Sequence, residues 1–116
     1  MADQDCIFCK IVAGEIPSQK VFEDEEVLAF HDISPQAPVH VLIIPKKHIA
    51  RVADMTEAEE PLMGKLIHTA AQLARQLNVS DSGYRLVLNT GPDANQTVPH
   101  VHVHLIGGRV MGWPPG

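Results

Sequence analysis

Short runs of apolar and polar residues along the chain predict a protein with several β-strands. Lys20–Glu23 and Val27–His31 lie on either side of an acidic turn, which is typical of a β-hairpin. Val39–Ile44 is apolar apart from His40 and is followed by Pro45, so it is expected to be a buried strand that ends at the proline. Two further strands are expected, over Tyr84–Asn89 and His100–Ile106.

One long helix is predicted between about Glu59 and Leu77. Apolar residues recur there at spacings of three and four, which places them on one face of a helix. They are Leu62, Leu66, Ala70, Leu73 and Leu77. Thr56 and Glu59 have the spacing of a capping box, whereas Pro61 favours a slightly later start. The first residue of this helix therefore stays open.

A much shorter helix is expected near the N-terminus, over Cys6–Val12. Asp5 is the predicted N-cap, and Gly14 stands where the helix should end. The order of elements, short helix, three strands, long helix, two strands, predicts an α+β fold with a mostly antiparallel five-stranded sheet. With 116 residues, the chain is expected to form a single domain over 1–116.

Composition and charge narrow the classes of function. The net charge of −5 argues against sequence-independent binding to a nucleic acid polymer, which needs clustered Lys and Arg, but not against a single nucleotide. No apolar run approaches the roughly 18 residues of a membrane-spanning helix. The acidic start, Met1–Asp5, lacks the order of a secretion signal. We therefore expect a cytoplasmic protein without a membrane partner, whose two cysteines are reduced.

Three of the seven histidines, His100, His102 and His104, stand at alternate positions. In a strand their rings would share one face about 7 Å apart, with Val101 and Val103 on the other face. Full charges at that spacing would repel by ~2 kcal/mol per adjacent pair at an effective dielectric of ~20. Some rings should therefore stay neutral near pH 7, which suits a nucleophile, a general base or a metal ligand.

The two cysteines form a C-x-x-C motif, Cys6 to Cys9, whose spacing lets both thiolates reach one metal ion across a turn. A redox pair and two small core residues on a helix are the alternatives. The strand-then-motif order of a thioredoxin is absent from this sequence. His48 follows a predicted strand and further histidines lie near the C-terminus, so a Cys₂His₂ zinc site is a third interpretation.

The sequence resembles the histidine triad superfamily, and in particular its nucleotide-binding branch. The alternating histidines match the signature His-φ-His-φ-His-φ-φ, in which φ is apolar. The other matching stretches run from near the N-terminus to the last residue: Ile7-Phe8, Glu15-Ile16-Pro17, Leu28–Pro38, Ile44–Ile49, Gly83-Tyr84-Arg85, Gly107-Gly108-Arg109 and Trp113–Gly116.

This resemblance implies a purine nucleoside phosphoramidase that cleaves adenosine 5′-phosphoramidates at the P–N bond, or aminoacyl-adenylates. His102 would attack the α-phosphorus and carry the nucleotidyl group until water releases the nucleoside monophosphate. His104 would contact the phosphate, and His100 and His40 would support the triad. Two alternatives remain: a nucleotide-binding regulatory protein with little turnover, and a zinc protein whose histidines serve only the metal.

The resemblance also implies where a purine nucleotide would lie. Asp32 would hold the ribose hydroxyls beside an apolar base pocket that includes Ile33. The phosphate and leaving group would be positioned by Asn89, Asn95, Gln96 and Thr97. The eukaryotic-type pattern has two glycines before the glutamine, where this chain has Ala94-Asn95, and a serine where it has Thr97. Asn tolerates left-handed backbone and Thr keeps the hydroxyl, so we expect activity with an altered substrate preference.

Relatives that carry a structural zinc ion imply its ligands in this chain. They would be Cys6, Cys9, His48 and His100. The resemblance further implies a homodimer whose sheets join across the interface. The C-terminal segment with Trp113 would then reach towards the partner's site.

Overall fold

The structure is a computed structural model that describes residues 5–116. The acidic start of the chain lies outside the described residues apart from Asp5. Two α-helices and five β-strands follow in the order α1, β1, β2, β3, α2, β4, β5. Their bounds are α1 Ile7–Val12, β1 Lys20–Glu23, β2 Val27–His31, β3 Val39–Pro45, α2 Glu60–Gln76, β4 Tyr84–Val87 and β5 Val103–Gly107.

The five strands form one sheet in the order β1-β2-β3-β5-β4, and all neighbours are antiparallel. The predicted α+β fold with a mostly antiparallel five-stranded sheet is confirmed. β3 is the central strand, which explains why it is apolar on both faces. Val41 and Ile43 point to one side and pack with α2, whereas Leu42 and Ile44 point to the other side and pack with α1.

The start of the long helix contains both features noted in the sequence, the capping box and the proline in the first turn. Thr56 and Glu59 form a capping box on a single 3₁₀ turn, Glu57–Glu59, and α2 begins directly after it with Pro61 in its first turn. Proline is tolerated there because the first N–H groups of a helix have no intrahelical acceptor. The buried stripe of α2 includes Leu66, Ala70 and Leu73, as predicted.

The cap of the short helix differs from the prediction. Cys6, not Asp5, is the N-cap of α1, because the Cys6 Sγ accepts the backbone N–H of Cys9 at 3.3 Å. Gly14 follows the helix with a φ of +79°, so it occupies the left-handed position expected at a helix end. The C-x-x-C motif is therefore the first turn of a helix and its cap.

The last two strands are shorter than predicted. The ladder between β3 and β5 begins at Val103, so His100 and His102 precede the strand. The backbone N–H of His100 donates to Val98 O at 2.8 Å and that of Val101 donates to Ile49 O at 2.7 Å. These loop contacts take the place of sheet pairing. β4 ends at Val87, two residues before the predicted Asn89. Within residues 5–116, no helix has the length and apolar character needed to cross a bilayer.

Candidate functional site

The three triad histidines lie on the α1 side of the sheet, while Val101, Val103 and Leu105 belong to the core beneath α2. The predicted division into a histidine face and an apolar face therefore holds, although only His104 is within β5. The ring centroids of His102 and His104 are 4.8 Å apart, closer than the predicted spacing of about 7 Å, because side chains can lean along a strand.

The position of the proton on His102 follows from its partner. Its Nδ1 lies 2.7 Å from the backbone oxygen of His100. A carbonyl oxygen can only accept, so Nδ1 carries the hydrogen and donates it. In the neutral ring the other nitrogen, Nε2, then holds a lone pair. His102 is buried, and Phe8 packs edge-on against it at a centroid distance of 5.1 Å. The ring is thus held in one orientation as a neutral nucleophile or base.

His40 and His104 have complementary proton positions. The backbone N–H of Gln36 donates to His40 Nδ1 at 3.0 Å, so the hydrogen of neutral His40 is on Nε2. That Nε2 lies 2.9 Å from His104 Nδ1 and donates to it. His104 must then carry its own hydrogen on Nε2. One backbone amide therefore sets two tautomers, and His104 offers an N–H donor where His102 offers a lone pair.

Burial holds these rings neutral near pH 7. Burial, with smaller contributions from the neighbouring His102 and His40, lowers the pKa of His104 to about 4. Burial also lowers the pKa of His102 and of His40, and in both cases the Asp32 carboxylate partly opposes it. The predicted neutrality of some rings agrees with these shifts. Its main cause is loss of hydration, however, and repulsion between the rings contributes less.

A mainly apolar cavity of about 320 Å³ opens beside His102 and His104. Its volume is at the lower end of the range for small-ligand sites. Predicted site residues Asp32, Ile33 and Thr97 also line it. The apolar walls come from α1, the segment after it, β2, β3 and the loop before the triad: Ile7, Phe8, Ile11, Ile16, Phe30, Leu42 and Val98. A larger opening of about 430 Å³ lies beside the C-terminal segment, and no predicted site residue lines it.

Asp32 lies at the end of β2 and links the cavity to the histidines. Its Oδ1 accepts the backbone N–H of Ser34 at 2.8 Å, which fixes the carboxylate in a turn. Its Oδ2 is 3.4 Å from His40 Nε2. Next to it, Ile33 is fully exposed at the mouth of the cavity.

The remaining predicted contacts are not in the cavity wall. The Gln96 side-chain nitrogen donates to Ala50 O and Val98 O, and its oxygen accepts the N–H of Gly91. Gln96 thus stabilises its own loop, with no amide group turned towards the cavity. Asn95 has a φ of +63°, so asparagine adopts the left-handed backbone anticipated at this position. Asn89 and Asn95 do not line the cavity, and their phosphate contacts stay predictions.

The predicted metal ligands Cys6, Cys9, His48 and His100 converge beneath α1. His100 Nδ1 is 3.3 Å from Cys6 Sγ, 3.6 Å from Cys9 Sγ and 3.3 Å from His48 Nδ1. A tetrahedral zinc ion with ordinary bond lengths requires roughly 3.6 Å between sulfur and nitrogen ligands and roughly 3.3 Å between two nitrogen ligands. These spacings fit a zinc ion.

The proton positions around His100 also fit a metal centre. His100 Nε2 lies 2.8 Å from Pro45 O and donates to it, so Nδ1 holds the lone pair that faces the cysteines. A second group of possible ligands, Asp32, His40 and His104, has the opposite arrangement. There the Nε2 of His40 already carries a hydrogen, because Nδ1 accepts the Gln36 N–H. The first group is suited to a metal ion and the second to hydrogen bonding.

The sequence model of the HIT domain matches residues 13–111. The chain belongs to the HIT family. A HIT family hydrolase from Legionella pneumophila Philadelphia 1 has the same fold, with a TM-score of 0.95 and 52% identity over 97% of this chain and 100% of that chain. The adenylylsulfatase HINT1 of Arabidopsis thaliana is 50% identical over 118 residues, which is 99% of this chain and 79% of that protein. A 14 kDa zinc-binding protein of Brassica juncea is 51% identical over 115 residues, 97% of this chain and 100% of that protein.

Three contributions to this HIT site were absent from the sequence interpretation. Phe8 packs edge-on against both His100 and His102. The Gln36 amide sets the tautomer of His40, and the Pro45 carbonyl sets that of His100. Two of these are backbone groups, which side-chain patterns do not indicate. Phe8, inside the C-x-x-C motif, could have been found from its position on a helix that faces the triad.

Proposed function

We propose that this HIT protein hydrolyses purine nucleoside 5′-phosphoramidates or aminoacyl-adenylates through a covalent nucleotidyl intermediate on His102. One observation carries the proposal: a buried neutral imidazole presents a lone pair beside a second imidazole that presents an N–H, at a cavity of nucleotide size. The relative named adenylylsulfatase supports an adenylyl compound as the substrate class.

In the first step, His102 Nε2 forms a bond to the α-phosphorus while the bond from phosphorus to the leaving group breaks. A phosphoramidate loses its amine, which keeps the electron pair of the P–N bond and takes a proton from the solvent. An aminoacyl-adenylate loses a carboxylate, which keeps the electron pair of the P–O bond and needs no proton. His104 Nε2–H donates to a phosphate oxygen, where a preorganised donor stabilises the charge that develops. The ring of His102 becomes cationic because it keeps its Nδ1 hydrogen. The bond from Nδ1 to His100 O at 2.7 Å and the negative charge of Asp32 stabilise that cation.

In the second step, water attacks the phosphorus and releases the nucleoside monophosphate. The bond to His102 Nε2 breaks, the ring keeps the electron pair, and the proton of the water passes to the solvent. The amine has already left, so water takes its place on the same side of the phosphorus. Two displacements at one fixed site replace a single attack by water, which is the advantage of covalent catalysis.

The rest of the nucleotide is placed by the residues that line the cavity. Asp32 binds the ribose hydroxyls with its carboxylate, and Ile33 covers the base at the mouth. Thr97 supplies a hydroxyl near the phosphate end. Asn89 and Asn95 would reach the phosphate or the leaving group only in the complex, and Gln96 would act by shaping the loop that carries Thr97.

We further propose that Cys6, Cys9, His48 and His100 hold a structural zinc ion. Burial raises the pKa of the Cys6 thiol, so a thiolate there needs a cation beside it. A zinc ion would supply that positive charge and connect α1 to the backbone before β5. The relative named as a zinc-binding protein supports this assignment. The proposed cytoplasmic location would keep both thiols available to the metal.

We also propose that the protein forms a homodimer. Among residues 5–116, β4 pairs only with β5 and forms an edge of the sheet, and an unpaired strand edge can be covered by a second copy. Val110 and Trp113 in the C-terminal segment are 96% and 84% exposed, which is unusual for such large apolar side chains. Sedimentation analysis should give twice the mass of the chain, and a monomer at micromolar concentration would contradict the dimer.

The decisive test is turnover of an adenosine 5′-phosphoramidate by the wild type and by His102→Ala. The wild type should release adenosine monophosphate, and the variant should lose this activity by at least about 10³-fold while it still binds adenosine monophosphate. His68→Ala, which changes an exposed histidine of α2, is the matched control and should be fully active. A wild type that binds the nucleotide without turnover would refute the hydrolase and favour a regulatory binding protein.

A further inference from the structure

Ser18 carries an unsatisfied hydroxyl in the wall of the cavity. Among residues 5–116, its Oγ is the one fully buried side-chain nitrogen or oxygen that has no hydrogen-bond partner. Buried polar atoms nearly always have partners, because an unmade hydrogen bond costs more than a made one contributes. An unpaired buried hydroxyl in a binding site therefore indicates a hydrogen bond that forms when the ligand binds.

The position of Ser18 favours a contact with the base of the nucleotide rather than with its phosphate. It directly follows Ile16 and Pro17 in the segment between α1 and β1, and all three residues line the cavity. Ile7 and Ile11 of α1 line the same cavity. The phosphate must lie at His102 and His104, so the apolar wall is left for the purine ring.

Most other polar side chains of the cavity already have partners. Asp32 Oδ1 accepts the Ser34 N–H, and we assign the carboxylate of Asp32 to the ribose hydroxyls. His102 and His104 each have one nitrogen committed to the hydrogen bonds described above. A purine that enters this cavity also buries its own ring nitrogens and exocyclic group, and these need partners. Ser18 offers one at the apolar wall.

We propose that Ser18 is a specificity-determining residue that hydrogen-bonds the polar edge of the purine base. The residue as a whole is partly exposed to the cavity, so rotation about its Cα–Cβ bond would turn the buried Oγ towards the ligand. A serine hydroxyl both donates and accepts, so it can serve a ring nitrogen or an exocyclic amine. This inference rests on the proposed nucleotide-binding function.

The test compares Ser18→Ala with the wild type, with affinities measured by calorimetry for adenosine monophosphate and for ribose 5-phosphate, which lacks the base. The variant should bind adenosine monophosphate about tenfold more weakly, the value of one hydrogen bond. Its affinity for ribose 5-phosphate should be unchanged. Thr97→Val removes the other cavity hydroxyl, which the proposed function assigns to the phosphate end, and should weaken both ligands to the same extent.

The stability of Ser18→Ala separates ligand binding from a structural role. Because the hydroxyl has no partner in the free protein, its removal should leave the midpoint of urea unfolding unchanged or raise it. Unchanged affinity for adenosine monophosphate, equal losses for both ligands, or a lowered midpoint would each overturn the assignment to the base. A wild type that binds no adenosine monophosphate would overturn the proposed function as well, whereas the other outcomes leave it intact.

Discussion

Replacement of His40 tests the hydrogen-bond chain that sets the tautomer of His104. His40 does not line the cavity, and its Nε2 lies 2.9 Å from His104 Nδ1 and 3.4 Å from Asp32 Oδ2. His40→Leu removes this donor and also leaves the Gln36 amide without its acceptor. His40→Gln is the matched control, because its side-chain amide can place an N–H near the position of Nε2.

The size of the effect follows from that single hydrogen bond. A bond of this kind contributes ~1–1.5 kcal/mol, which favours the correct tautomer of His104 about tenfold. Without it, much of the protein would carry the His104 hydrogen on Nδ1 and present a lone pair to the phosphate. The competent tautomer would fall from about nine-tenths to about half of the protein, so we expect kcat/KM for an adenosine 5′-phosphoramidate to fall about twofold in His40→Leu. His40→Gln should recover most of that loss.

The tautomer itself can be observed by long-range ¹⁵N–¹H correlation spectra of the histidine rings. Wild type and His40→Gln should show His104 with its hydrogen on Nε2, and His40→Leu should show a mixture. If His40→Leu keeps the wild-type tautomer and still loses activity, or if His40→Gln is as impaired as His40→Leu, the proposed hydrogen-bond chain is wrong.

Two further predictions concern the metal centre and pH. Zinc content per chain should drop sharply in Cys9→Ser, because a serine hydroxyl is a poorer zinc ligand than a thiolate. It should stay unchanged in the control His68→Ala. Equal zinc content in the two variants would contradict the Cys₂His₂ site. Because burial lowers the pKa of the nucleophile His102 and lowers that of His104 to about 4, the acid limb of the pH–activity profile should have its midpoint below pH 6.5. A midpoint near 6.5, the value of an ordinary histidine, would refute the effect of burial.

Much of the fold follows from local patterns in the sequence. Hydrophobic periodicity, together with turn residues and prolines, predicted the apolar stripe of α2, the hairpin of β1 and β2 and the buried β3. The structure contains all three. The ends of β4 and β5 could not be predicted, because they depend on contacts between distant backbone groups. The bond from Val101 N–H to Ile49 O is one such contact. The N-cap of α1 was also wrong, since a cysteine sulfur takes the place usually filled by an aspartate oxygen.

The sequence predicted the residues of the candidate site more completely than the role of each residue. Alternation placed the histidines on one face, and the resemblance assigned different roles to His100, His102 and His104. The tautomers could not be read from the sequence, because carbonyls and amides of other segments determine them. The role of Gln96 could not be predicted for the same reason. As a polar loop residue near the triad it was expected to contact the phosphate, but its side-chain amide forms hydrogen bonds with three backbone groups.

The most direct test of the central claim is to trap the covalent intermediate. The wild-type protein should be mixed with an adenosine 5′-phosphoramidate, quenched within milliseconds and digested under non-acidic conditions, and its peptides analysed by mass spectrometry. We predict a nucleotidyl group on His102, formed at the rate of amine release and absent from His102→Ala. Turnover without any covalent adduct, or an adduct on His104 instead, would contradict nucleophilic catalysis by His102.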